Sequence, residues 1–261
     1  MNDMSRYLFA IVLAMGVLFG WQILFPPEQS NISNIESPDS NNNIELNLPI
    51  EKPLTISEPC PDKRVVISNN KIEGSINLCG AKIDEIYLKD FKTSTKNDSD
   101  YVKFFNPSND KNGYWVESGW KSPKNIRYNL PGPSTLWLLE DGQTLTPNNP
   151  VTISWDNGEG LLFKQKISID GNYLFTIEQE IVNNSLGSLT VFPFQQLSRR
   201  EIPEGQALGL LHEGPTGWFD EKLEEVDYDD IEEKDFRSEF NNGWVGIRDK
   251  YWATAITSLD G

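Results

Sequence analysis

The sequence predicts an all-β fold, a large antiparallel sandwich of two stacked sheets, preceded by one N-terminal transmembrane helix. Three observations lead there. From Arg64 to Thr257, short β-branched and aromatic runs alternate with turn residues. Almost no stretch in that region carries the 3.6-residue period of an amphipathic helix, so the strands must cover one another, as two sheets face to face. Before it stands an uncharged apolar run that no β-strand would need.

That run is Tyr7–Phe25, nineteen residues in which only Gln22 is strongly polar. As a helix it would be about 28 Å long, close to the ~30 Å hydrocarbon core of a bilayer. A cleaved signal peptide would end in small residues, whereas this run ends in Trp21, Ile23, Leu24 and Phe25 followed by Pro26 and Pro27. We therefore expect an uncleaved anchor. Arg6 and the terminal amine precede it, Glu28, Glu36 and Asp39 follow it, and no Lys or Arg appears again until Lys52. The positive-inside rule then leaves residues 1–6 in the cytoplasm and sends residues 26–261 across the membrane. No second run of eighteen apolar residues follows.

Residues 26–62 hold seven prolines among many Asn and Ser, a composition that cannot bury enough apolar surface to fold and reads as a flexible tether. The remaining 63–261 segment is expected to be the exported β domain. Its charge is uneven. The chain carries a net charge of −16, and Phe219–Phe240 alone contains eleven acidic residues against Lys222, Lys234 and Arg237, half of the total. Such a surface repels nucleic-acid phosphate and anionic lipid, which removes nucleic acid as a partner. Cys60 and Cys79 both fall in the exported part, where oxidising conditions permit a disulfide, but their spacing does not decide whether they join. Two cysteines and one histidine are too few for a structural zinc site.

Taken in order, Val65–Ile67, Ile72–Leu78 and Ala81–Leu88 read as strands, with Asn69-Asn70 and Cys79-Gly80 as turns. In the third, Ile83, Glu85 and Tyr87 alternate with Asp84, Ile86 and Leu88, so both faces are partly apolar and the strand is expected to be central. Residues 92–112 form a polar excursion with a short Tyr101–Phe105 run inside it. The clearest hairpin is Leu161–Asn183. Leu161, Phe163, Ile167 and Ile169 share one face, Lys164, Lys166 and Ser168 the other, and Asp170-Gly171-Asn172 turns the chain into Phe175, Ile177 and Ile181. A strand over Leu189–Leu197 contains Pro193, which calls for an edge or a bulge. Strands near Leu208–Leu211, Trp244–Ile247 and Trp252–Ile256 complete the series.

Candidates for chemistry are few. His212 is the only histidine, and no G-x-S-x-G nucleophile elbow accompanies it, so it reads as a structural or surface residue. The carboxylates around Asp227-Tyr228-Asp229-Asp230 could hold calcium, but they lack EF-hand order and read as a solvated edge, with a partner-docking surface as the other alternative. Gly158 and Gly160 precede a strand rather than a helix and make a turn, not a phosphate cradle. Trp115, Trp120, Trp137, Trp155, Trp218, Trp244 and Trp252 read mainly as core, with a sugar cleft or peptide groove as the alternative. No catalytic, cofactor-binding or metal-binding residue is assigned.

The order of several motifs is specific. The anchor ending GWQILFPP, the tether, Gly74–Asp84 (GSINLCGAKID), Leu130-Pro131-Gly132-Pro133, Leu145-Thr146-Pro147, Val151–Gly160 (VTISWDNGEG), Leu211–Pro215 (LHEGP) and Gly243–Ala253 (GWVGIRDKYWA) together resemble the YidC branch of the Oxa/YidC/Alb family of membrane-protein insertases, in its alphaproteobacterial form. The resemblance implies a periplasmic β-supersandwich similar to that of sugar mutarotases, lying between the first and second membrane helices of an inner-membrane insertase. It implies incoming membrane proteins, the Sec translocon with its accessory subunits, and the lipid bilayer as partners, and no cofactor. The family's hydrophilic groove lies in five further membrane helices, so no groove residue is carried over to this sequence. The rival reading is a membrane-tethered sugar-binding or mutarotase-like protein. That chemistry needs an acid and a base around a sugar ring, and one histidine argues against it.

Overall fold

The computed structural model of the chain describes residues 60–202, 212–233 and 235–259. Tyr7–Phe25, the tether as far as Pro59 and the strand expected near Leu208–Leu211 lie outside them. Among the described residues no helix is long and apolar enough to cross a membrane.

These residues are almost entirely β structure. In chain order the strands are β1 (Arg64–Ser68), β2 (Ile72–Asn77), β3 (Lys82–Lys92), β4 (Tyr101–Phe105) and β5 (Tyr114–Lys121). Next come β6 (Leu138–Asp141), β7 (Thr144–Leu145), β8 (Val151–Asp156), β9 (Leu161–Ile169), β10 (Phe175–Asn183) and β11 (Phe192–Arg199). β12 (Gly214–Phe219), β13 (Lys222–Glu225), a single helical turn and a half at Tyr228–Glu233 (α1), β14 (Gly243–Arg248) and β15 (Ala253–Ile256) end the series.

The described strands form three sheets where two were expected. The first has the order β11-β5-β3-β2-β1-β7, with β4 also on β3; the second is β10-β9-β8-β6; the third is β13-β12-β14-β15. The pairs are antiparallel except for a short parallel contact that aligns Val66 and Ile67 with Thr144 and Leu145. The expected central strand is β3, flanked by β2 on one side and by β4 and β5 on the other. β9 and β10 pair from Ile169↔Phe175 to Leu161↔Asn183, the hairpin read from the alternation. Pro193 lies on the edge strand β11, where its missing N–H disrupts no ladder.

The first two sheets share one core. Val65, Ile67, Ile72 and Ile76 from the first are buried with Val151, Ile153, Phe163 and Ile167 from the second. Trp120 bridges them, its ring 5.1 Å from that of Phe163 and 6.4 Å from that of Trp137. Burial at this density supplies most of the folding free energy, about 1.5–3 kcal/mol for each large apolar side chain.

Polar side chains then fix how the two sheets sit. Gln165, with no exposed surface, donates through Nε2 to the Ser118 carbonyl at 3.0 Å and accepts at Oε1 from the Ser118 hydroxyl at 3.2 Å. Gln179 donates to the Gly119 carbonyl at 2.9 Å. At one end Asn69 donates to the carbonyls of Asp170 and Asn172, while its Oδ1 accepts from the N–H groups of Lys71 and Ile72. Asn129 and Asn157 exchange amide-to-carbonyl bonds of 3.2 Å elsewhere on the rim. A buried amide left unpaired would cost about 1–3 kcal/mol, so these ties select one arrangement of the sheets.

Cys60 and Cys79 are joined in a disulfide with their Cα atoms 6.0 Å apart, which settles the question the spacing left open. The bridge encloses β1 and β2, and a closed loop of this length stabilises by about 3 kcal/mol on the chain-entropy account. Inside the loop Arg64 donates to Asp84, a carboxylate buried to 1% exposure on the central strand. Burial pushes the Asp84 carboxyl above its ordinary range and Arg64 pulls it back only in part.

Candidate functional site

The sequence offered one histidine and one acidic run, and the fold brings them together. His212 directs Nδ1 to Asp227 Oδ1 at 3.1 Å and Nε2 to the Pro215 carbonyl at 3.1 Å. Neither contact supplies a nucleophile, and Gly214 packs against the ring so closely that an added Cβ would lie 3.3 Å from it. The residue thus braces the entry to β12. Among the described residues no cluster of three His, Cys, Asp or Glu side chains converges as a metal site. Gly158 and Gly160 take φ of 74° and 89° and turn β8 into β9, as the sequence suggested.

The outer face of the second sheet carries a shallow groove of about 540 Å³. Its floor is a ladder of opposite charges: Lys166 pairs with Glu178 at 3.0 Å and Lys164 with Glu140 at 2.9 Å. Among the described residues no aromatic ring lines it, so it lacks the stacking platform that a sugar cleft would need.

The seam between the third sheet and the first is more constrained. Arg199, at the end of β11, reaches across to Asp249, just past β14, and makes a two-pronged pair with its carboxylate. The Arg199 guanidinium also donates to the Tyr228 hydroxyl at 3.2 Å and lies 4.0 Å from the centre of the Tyr114 ring. Tyr114 donates in turn to Thr254 Oγ1 on β15 at 2.8 Å. Burial opposes the charge on Arg199, but Asp249 more than offsets it and holds the guanidinium above its usual range. Burial pushes the Tyr114 hydroxyl up to about 12, against the opposing pull of Thr254 and Arg199. One cluster therefore clips β5, β11, α1 and the β14–β15 connection together. Sequence reasoning missed Arg199 and Tyr114, and the nearest signal was the Arg248-Asp249 pair within the GWVGIRDKYWA stretch.

The opposite face of the third sheet is open. Trp218 on β12 stands directly across from Leu223 on β13 and from Trp244 on β14, so the three side chains form one row on one face. Leu223 is 49% and Trp218 41% exposed. Trp120 and Trp137 bear out the core reading of the tryptophans, whereas Trp218 departs from it.

An all-β domain with a two-sheet core, a clipped third sheet and a disulfide at its entry defines the class: a disulfide-linked β domain whose described exposed features are a shallow charged groove and open sheet faces. Residues 64–260 match the family model described as the YidC periplasmic domain, and the chain belongs to that family. It is similar to the membrane protein insertase YidC of Rickettsia bellii, 37% identical over an alignment of 262 positions that covers 98% of this chain and 46% of that protein. The corresponding protein of Rickettsia prowazekii is 35% identical over an alignment of 268 positions that covers 98% of this chain and 47% of that protein. That of Rickettsia typhi is 34% identical over 261 residues, 98% of this chain and 46% of that protein. The chain spans about half the length of the curated relatives it matches. These relatives are named as insertases, and the sugar-binding or mutarotase alternative gains no support from them.

Proposed function

We propose that this chain is the N-terminal part of a membrane protein insertase that inserts, folds and assembles integral proteins of the bacterial inner membrane, alone or beside the Sec translocon. The observation that carries the reading is the likeness to insertases along 98% of the chain, including its apolar N-terminal run. In this reading Tyr7–Phe25 is the membrane anchor, residues 1–6 stay in the cytoplasm, residues 26–62 are the tether, and residues 63–261 form the periplasmic domain, a β-supersandwich of the mutarotase type. The mechanism has no covalent step and no cofactor. A groove in further membrane helices lowers the cost of moving polar loops into the bilayer, while this domain steadies the assembly or docks accessory subunits of the translocon.

Depletion of the protein from its native membranes tests the proposal. Insertion of newly made inner-membrane proteins, read by protease protection, should fall and should recover when the gene is restored. Unchanged insertion after depletion would refute it. A phosphatase reporter that is active only outside the cytoplasm, fused after residue 62, should be active, and an inactive fusion would overturn the orientation.

A further inference from the structure

We propose that the open face of the third sheet is a docking surface for a basic, amphipathic protein segment, with apolar side chains covering the row Leu223–Trp218–Trp244 and lysine or arginine around them. The inference goes beyond the insertase reading and does not depend on it.

The row comes from register. Because Trp218 is paired with Leu223 on one side and Trp244 on the other, their side chains project together, one strand spacing apart. A tryptophan and a leucine at 41% and 49% exposure, side by side, make the kind of apolar centre around which interfaces are built. β13 is an edge strand of only four residues, with no strand on its far side among the described residues, so one margin of the row is accessible. The hairpin that presents it is held in place. Asp220 accepts from the N–H groups of Asn241 and Asn242, and the rings of Phe219 and Phe240 pack at a 42° tilt with centres 4.6 Å apart on the other face.

The charge around the row selects the partner. Asp220 and Glu221 form the turn at one end of the row, and Glu225, two residues on from Leu223, shares its face on β13. The basic side chains of this sheet already face carboxylates of their own, Lys222 with Glu224 and Arg248 with Glu225. The surplus is therefore negative. A second copy of the chain would bring two such segments against each other, and an anionic lipid surface would be repelled in the same way. A basic partner is attracted. Exposed ion pairs contribute little to affinity one by one, so the apolar row sets how tightly the partner holds, and the acids set its approach and salt dependence.

The test uses the full chain in a nonionic detergent with a fluorescent lysine–leucine amphipathic peptide, and its glutamate–leucine counterpart as control. The cationic peptide should bind and the anionic one should not. Trp218→Ser with Leu223→Ser should weaken binding about tenfold with its salt dependence unchanged. Glu221→Gln with Glu225→Gln should flatten the salt dependence, while Glu178→Gln with Glu180→Gln on the second sheet should change nothing. Equal loss from the second-sheet variant would overturn the proposal, because binding would then follow overall acidity. A fall in the oligomeric mass of the peptide-free Trp218→Ser, Leu223→Ser chain would overturn it in favour of a second copy. The glutamine variants lie on exposed side chains and keep the salt test usable whatever the serine variant does.

Discussion

Replacing Tyr114 by Phe should make the stability difference between variant and native chain change sign with pH. The hydroxyl donates to Thr254, a bond whose loss costs about 1 kcal/mol at neutral pH. Burial raises the hydroxyl to about 12 from the ordinary value of 10, so between those values the folded state holds a proton that the unfolded state has released. Stability from this group is therefore complete below pH 10 and is lost as pH rises towards 12. Each tenfold difference in proton affinity between the two states is worth about 1.4 kcal/mol, so roughly 2 kcal/mol is gone by about pH 11.5. Phe has no proton to lose. The variant should be less stable than the native chain by about 1 kcal/mol at about pH 8 and more stable by about 1 kcal/mol near pH 11.5. Urea unfolding of the full chain, followed by tryptophan fluorescence at both pH values, measures the difference. A gap that stays constant from neutral to alkaline pH would refute the burial of this hydroxyl at the seam.

Three further outcomes are expected. Gln165→Leu should destabilise by about 2 kcal/mol, because the Ser118 carbonyl and hydroxyl lose their partner inside the core; adding Ser118→Ala should recover part of that loss, read as denaturant midpoints. Reduction of the Cys60–Cys79 disulfide should lower stability by about 3 kcal/mol, and a Cys60→Ser, Cys79→Ser chain should melt at the reduced temperature with or without reductant. Glu221→Gly should raise stability by about 0.5 kcal/mol, since Glu221 has φ of 74° in the β12–β13 turn and glycine takes that conformation without a Cβ clash; a lower melting temperature would show that the side chain holds the turn.

The parts of this fold that were legible are those whose signal is local. β9 and β10 announce themselves because one face must be apolar and the other wet, and the Asp170-Gly171-Asn172 turn fixes their register within twenty-three residues. The central position of β3 follows from its alternation, whereas β4 was noted only as a short run inside a polar excursion. β12 was not in the predicted series because Gly214, Pro215 and Gly217 write a turn composition over a strand, and only pairing on both sides by β13 and β14 makes it one. The third sheet was lost with it, and the acidic run hid a hairpin whose turn places Asp220 and Glu221 at positive φ, where glycine or asparagine is the usual sign.

The ties that decide how the sheets sit were out of reach for a different reason. Gln165 looks like one more polar residue on a half-wet strand until Ser118, forty-seven positions away, is set against it. Asn69 reads as a turn residue, which it is, but its amide also holds carbonyls more than a hundred positions further on. Arg199 meets Asp249 across fifty residues. Hydrophobic pattern is a property of one strand and survives reading in one dimension, whereas a buried polar pair exists only once two strands have been placed. The same asymmetry bears on the open row at Trp218. Its composition is that of a core position, and only its exposure in the folded domain separates a residue that holds the sheets together from one that faces a partner.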